Sequence, residues 1–145
     1  MKTNTVTYVL AATFFAACTS VVPDALGDAP KKKQYTIEST AAAVDPGTSG
    51  AIELVIKPAK GWKWNDKFPA KLTIPDKASK VASFDQREFK AKAFKLKKKR
   101  ASLSVPFKGV STGEETIEAN ARFSVCDEEA CVIGNETVSI KVSVR

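Results

Sequence analysis

The chain of 145 residues contains no histidine. That absence excludes a Ser-His-Asp triad, a Cys-His nucleophile and every His-ligated zinc or copper centre. Methionine occurs only at position 1, so a methionine-rich copper site is excluded too. Amphipathic helical periodicity and internal repeats are lacking. The longest apolar run, Val6 to Ala17, is far shorter than the roughly 20 residues that cross a bilayer. Cysteine is scarce, at three residues. The remaining chemistry must come from thiols, carboxylates, amines or surface shape, and no cofactor is expected. The length suits one domain. Hydrophobic residues make up 43%, enough to bury a core, and the formal net charge is +7.

Residues 1–18 read as an export signal rather than as fold. Lys2 gives a basic start, the apolar run follows, and Phe15-Ala16-Ala17-Cys18 resembles the bacterial lipobox. In that pattern Cys18 becomes the lipidated first residue of the mature protein. The cysteine arithmetic then closes: one anchor and one pair, Cys126 and Cys131. Thr19 after the anchor favours outer-membrane sorting, so the expected location is the bacterial cell envelope, facing the periplasm. Export makes a disulfide persistent and nucleic acid an unexpected partner despite the basic balance. Residues 19–33 mix Pro, Gly, Asp and Ala without periodicity and end in three lysines, as a tether does.

From residue 34 onward the signals are β. Ile52, Leu54 and Ile56 alternate, as do Ala101, Leu103, Val105 and Phe107. Ile117, Ala119, Ala121, Phe123 and Val125 form a third such face, and Val138, Ile140, Val142 and Val144 a fourth. Lys71–Ile74 is a short strand, and a strand opens at Tyr35. Asp45-Pro46-Gly47 reads as a turn. Phe84 and Phe89 are expected to plug the core from a bend, and Pro58–Pro69 to form an aromatic loop. Pro106 argues for an edge position in its strand. Seven to eight short strands at roughly 8–12 residue spacing predict an all-β, immunoglobulin-like antiparallel β-sandwich over residues 34–145. The chain is expected to act as a monomer.

Phe123 to Gly134 organises the rest. Cys126 and Cys131 flank Asp127, Glu128, Glu129 and Ala130, and apolar alternation runs into the first cysteine and resumes after the second. This reads as strand, tight acidic loop, strand, with a thiol at each shoulder. Antiparallel shoulders bring Cβ atoms within the roughly 3.5–4.5 Å that a disulfide needs. Cys126 is out of step with the inward odd positions, so it belongs on the outer face or at the strand's exit. Closing so short a ring contributes roughly 2 kcal/mol in the chain-entropy model. Two readings remain at this point: a fixed staple, or a disulfide that exchanges. The acidic loop disfavours a thiolate, the nucleophile in exchange, and no lysine adjoins the pair in sequence. Such a pair would react mainly when docked to a partner that supplies its own low-pKa thiol. Two thiolates crowded by carboxylates make a poor metal set, so no metal is expected.

The run FSVCDEEAC, following a long alternating strand and preceding a last strand, resembles the N-terminal periplasmic domain of the DsbD thiol:disulfide interchange protein. Gly61-Trp62-Lys63-Trp64-Asn65 and Val105-Pro106-Phe107 resemble two further elements of that domain. The resemblance spans about Tyr35 to Val144. It implies an immunoglobulin-like fold and a catalytic pair, Cys126 and Cys131, that alternates between dithiol and disulfide. It also implies partners: exported thiol or disulfide proteins that take electrons, and a membrane-bound protein that donates them. Relatives often carry Pro-Pro after the second cysteine, where this chain has Val132-Ile133-Gly134-Asn135. The family's full proteins continue into transmembrane helices and a thioredoxin-like domain, whereas this sequence ends at Arg145, so the donor is expected in trans.

Other stretches admit a bland reading and a sharper one. Lys90 to Arg100 holds seven basic residues in eleven. It reads as a lysine-guarded edge strand, or as a contact for anionic lipid or cell-wall polymer. Trp62 and Trp64 either cap the sandwich or form, with Asp127, Glu128 and Glu129, a partner-facing surface beside the disulfide.

Overall fold

A strand that alternates apolar and polar side chains must bury one face, and alternation dominates this chain from Tyr35. The computed structural model of the chain describes residues 33–145, apart from Ala78. The expected export signal, Cys18 and the tether up to residue 32 lie outside the described residues. Ten strands follow in order. They are β1 (Tyr35–Ala41), β2 (Ser49–Pro58), β3 (Lys63–Trp64), β4 (Lys71–Thr73), β5 (Ala82–Ser83), β6 (Glu88–Lys90), β7 (Lys95–Lys97), β8 (Arg100–Gly109), β9 (Gly113–Cys126) and β10 (Cys131–Val144). Eight of them have three residues or more, in line with the expected count. A single 3-10 turn, Ala91–Ala93, stands between β6 and β7. Among the described residues no helix is long and apolar enough to cross a membrane.

One antiparallel sheet runs β1-β2-β8-β5, with β7 also on β8. The other runs β10-β9-β4-β6, with β3 also on β9. Their inner faces share one core, so the fold is an immunoglobulin-like antiparallel sandwich. The four alternating sets named from sequence all point inward: Ile52, Leu54, Val105, Ile117, Phe123 and Val142 are almost wholly buried. Each such side chain contributes about 1.5–3 kcal/mol by leaving water. Phe84 and Phe89 are buried, as expected, but the bend that carries them also contributes β5 and β6. The turn at Asp45-Pro46-Gly47 closes with the Thr48 N–H donating to the Asp45 carbonyl at 3.1 Å. Gly47, at φ 81°, takes the position that a type II turn reserves for glycine.

Two expectations are corrected. Pro58–Pro69 is not all loop, because β3 pairs there with β9. Pro106 is not on an edge strand, because β8 lies between β2 and the β5 and β7 pairings. The physical reason behind the expectation still operates locally. β7 pairs with Arg100–Ser102 and β5 with Lys108 and Gly109, so among the described residues only β2 stands beside β8 around Pro106. A residue without an N–H costs no ladder bond there.

The longest ladder is β9 with β10, paired without a break from Gly113↔Val144 to Cys126↔Cys131. Near its far end Phe123 is fully buried. Its ring meets Tyr35 edge-on at 4.7 Å and stacks on Trp64 at 5.7 Å. It also lies over Gly134, its register partner, so tightly that an added Cβ would come within 2.6 Å of the ring. Tyr35 ties the sheets together: its phenol donates to Glu136 at 2.5 Å. Burial, with help from that bond and the Glu136 charge, pushes the phenol up to about 12.

Candidate functional site

The site is the tip of the β9–β10 hairpin. An acidic residue directly after a strand can turn its carboxylate onto the backbone of the next residues. Asp127 does this: its Oδ1 accepts from the N–H groups of Glu129 at 2.9 Å and Ala130 at 2.8 Å. Its own N–H donates to the Ala130 carbonyl at 2.9 Å. Those backbone donors, Ala130 first, hold its carboxyl below the usual carboxylate range. The turn is therefore closed by the loop itself. Glu128 and Glu129 are exposed and leave the tip negatively charged.

Cys126 and Cys131 stand directly opposite each other and are disulfide-bonded, with Cα atoms 4.0 Å apart. The neighbouring Asp127–Ala130 backbone bond makes them the close, non-hydrogen-bonded kind of antiparallel pair. Alternation settles their side. Val125 is buried, so Cys126 falls on the outer face, where it is half-buried, and Cys131 is exposed. The bond is thus at the surface, on the end of a ladder that holds its own register.

β3 flanks Cys126 through Lys63, and the segment after β3 continues along β9 over Ser124 and Arg122. The Asn65 N–H donates to the Ser124 carbonyl at 3.0 Å, and the Phe68 ring lies 5.7 Å from the Arg122 guanidinium. Ser124 is consequently buried although it faces outward by parity. On the other side Ile133, next outward on β10 after Cys131, is 47% exposed. An exposed apolar side chain thus stands two residues along the same face from the exposed Cys131.

Trp62 and Trp64 lie along β3 and the turn before it, on the flank of β9. Both are half-buried and pack against the core. Trp64 stacks on Phe123 and tilts against Phe94 at 5.4 Å. The reason is β3: its pairing with β9 turns Trp64 inward and Lys63 outward. The structure also brings in a residue that sequence order hid. Lys63 is the register partner of Cys126, so directly opposite side chains share a face about 5 Å apart at Cβ. An ammonium group is available on the Cys126 side to offset the acidic loop. A Gly-aromatic-Lys-aromatic alternation ahead of Asn65 was the available signal, but its strand partner was not legible.

The basic stretch divides. Lys90 pairs with Glu88 at 3.7 Å, and Glu88 also holds Lys71 at 2.8 Å, which lowers the Glu88 carboxyl. Beyond it, β7 is an edge strand with Leu96 52% exposed. Its two-residue turn into β8 puts Lys98 at φ 57°. A left-handed position of this kind favours glycine, and a side chain there costs about 1–2 kcal/mol. Among the described residues no group of three His, Cys, Asp or Glu is gathered to hold a metal.

No protein-family model matches the chain, and no curated protein matches it either. Among solved structures it is similar to AggA, the major subunit of aggregative adherence fimbriae type I from Escherichia coli. The identity is 13% and the TM-score 0.36, over 78% of this chain and 97% of that one.

Proposed function

We propose that this chain is a thiol:disulfide exchange module, tethered to the bacterial envelope through lipid on Cys18, that passes reducing equivalents to exported proteins through Cys126 and Cys131. The observation that carries the reading is the position of the disulfide: at an exposed tip, on a ladder and turn that close without it. A staple is needed where a loop would otherwise open. Here Asp127 and the β9–β10 pairing already do that work, which weighs against a purely structural bond.

The chemistry is a pair of in-line exchanges. In the dithiol form the Cys131 thiolate attacks a partner's disulfide, and the partner's other sulfur leaves as a thiolate. Cys126 then attacks Cys131 in the mixed disulfide, the Cys126–Cys131 bond re-forms, and the partner's second sulfur leaves. Two electrons and two protons pass to the partner. A donor in trans reverses the sequence to restore the dithiol. Cys131 takes the partner-facing role because it is the more exposed residue of the pair. Cys126, half-buried and in register with Lys63, is the resolving thiol. Asp127, Glu128 and Glu129 keep the pair slow toward casual oxidants, and Ile133 gives a docked partner an apolar contact.

The test is trapping in the native envelope. A Cys126→Ser variant should accumulate mixed disulfides with exported cysteine proteins through Cys131, while Cys131→Ser accumulates far fewer. If Cys126→Ser traps no more than the variant lacking both cysteines, the exchange reading is wrong and the disulfide is a staple.

A further inference from the structure

A second feature lies next to the disulfide. Lys63, Trp64, Leu96, Lys98, Lys99 and Arg100 line a cleft of about 330 Å³ between β3 and the β7–β8 turn. Its apolar lining is the accessible part of Trp64, backed by Phe94 and Phe123, together with the exposed Leu96. Its polar lining is four cations and no carboxylate. None of the four has an ion-pair partner within 4.0 Å among the described residues, whereas Lys57, Lys71, Lys90 and Lys141 all do. Lys98 keeps a side chain in the turn where glycine would relieve the backbone.

We infer that this cleft seats an extended polypeptide segment that carries an apolar side chain flanked by carboxylates. Taking that segment as the stretch beside an exchange partner's cysteine rests on the function proposed above. The charge selects the sign: uncompensated cations around an apolar floor fit an anionic, amphipathic occupant. Distance selects the place. Lys63 is the register partner of Cys126, one strand spacing of about 4.8 Å away. A segment whose cysteine meets the disulfide lays its next few residues, at about 3.3 Å each, over the cleft. The edges select the conformation. Among the described residues β3 pairs only with β9, and β7 only with β8, which leaves one edge of each for an extended chain. A recess floored by an indole suits a side chain better than a flat bilayer, which meets protruding tips.

The direct test uses short synthetic peptides with a central serine, one leucine, and either glutamates or lysines beside it, titrated against the intrinsic tryptophan fluorescence. The glutamate peptide should bind and the lysine peptide should not. Each exposed ion pair is worth about 1.4- to 5-fold in affinity, so a K98E/K99E double variant should weaken the glutamate peptide about tenfold. Lys63→Gln should weaken it less, and the leucine should be required. Equal binding of both peptides, or binding indifferent to K98E/K99E, overturns the inference. So does binding to phosphatidylglycerol vesicles that K98E/K99E abolishes while no peptide binds, which would make the cleft a lipid contact. Cysteine versions of the same peptides separate the two claims. If the glutamate peptide binds but its thiol reduces the disulfide no faster than glutathione does, the cleft stands as a binding site and the exchange reading falls.

Discussion

Replacing Phe123 with alanine lowers the unfolding free energy by about 3–5 kcal/mol, the usual cost of deleting a buried aromatic ring. That is a large part of the roughly 5–15 kcal/mol that holds a domain of this kind together. The size of the effect follows from what the ring touches. Phe123 is fully buried, takes the edge of Tyr35 from β1, stacks with Trp64 from β3 and fills the space over Gly134 on β10. No neighbour can collapse into the void without leaving its own sheet. Equilibrium urea unfolding, followed by tryptophan fluorescence, should show a lower midpoint at an unchanged slope. A shift under 1 kcal/mol would mean that the aromatic cluster is not the centre of this end of the sandwich.

The second large effect comes from the same place by the opposite route. Gly134→Val should destabilise by about 2–3 kcal/mol, in the range of overpacked cores. A Cβ at Gly134 would sit 2.6–3.0 Å from three atoms of the Phe123 ring. The ring is wedged against Tyr35 and Trp64 and cannot retreat without moving β3, the strand that covers the flank of Cys126. Gly134→Val should therefore also make the disulfide easier to reduce, as measured by its rate with dithiothreitol. If stability and reduction rate are both unchanged, the close approach of ring and glycine is not a constraint.

Much of the sandwich was legible because long alternating strands declare their buried face. Ile52 to Ile56, Ala101 to Phe107, Ile117 to Val125 and Val138 to Val144 all point where their parity says. The hairpin with a cysteine at each shoulder was legible for the same reason. What was hidden is what short strands decide together. Two residues, Lys63 and Trp64, are too few to show a period, yet their pairing with β9 puts Lys63 beside Cys126 and Trp64 against the core. Tryptophans in a Pro- and Gly-bounded loop read equally well as surface or cap, and only the partner strand decides. Pro106 misled because an edge is a property of the residues around it, and β8 has one only between its pairings with β7 and β5. The cleft joins residues 63 and 64 to residues 96–100 across two sheets, a juxtaposition that no local pattern announces.

The central claim is that the Cys126–Cys131 bond opens and closes on a fold that does not depend on it. The midpoint potential of this couple, taken with the melting temperature of the fully reduced protein, tests it most directly. The account predicts a potential milder than about −300 mV, above the range of structural disulfides. It also predicts a reduced protein less stable by no more than about 2 kcal/mol, the most that so short a ring can contribute. A potential well below that range, or a reduced chain that unfolds, would contradict it.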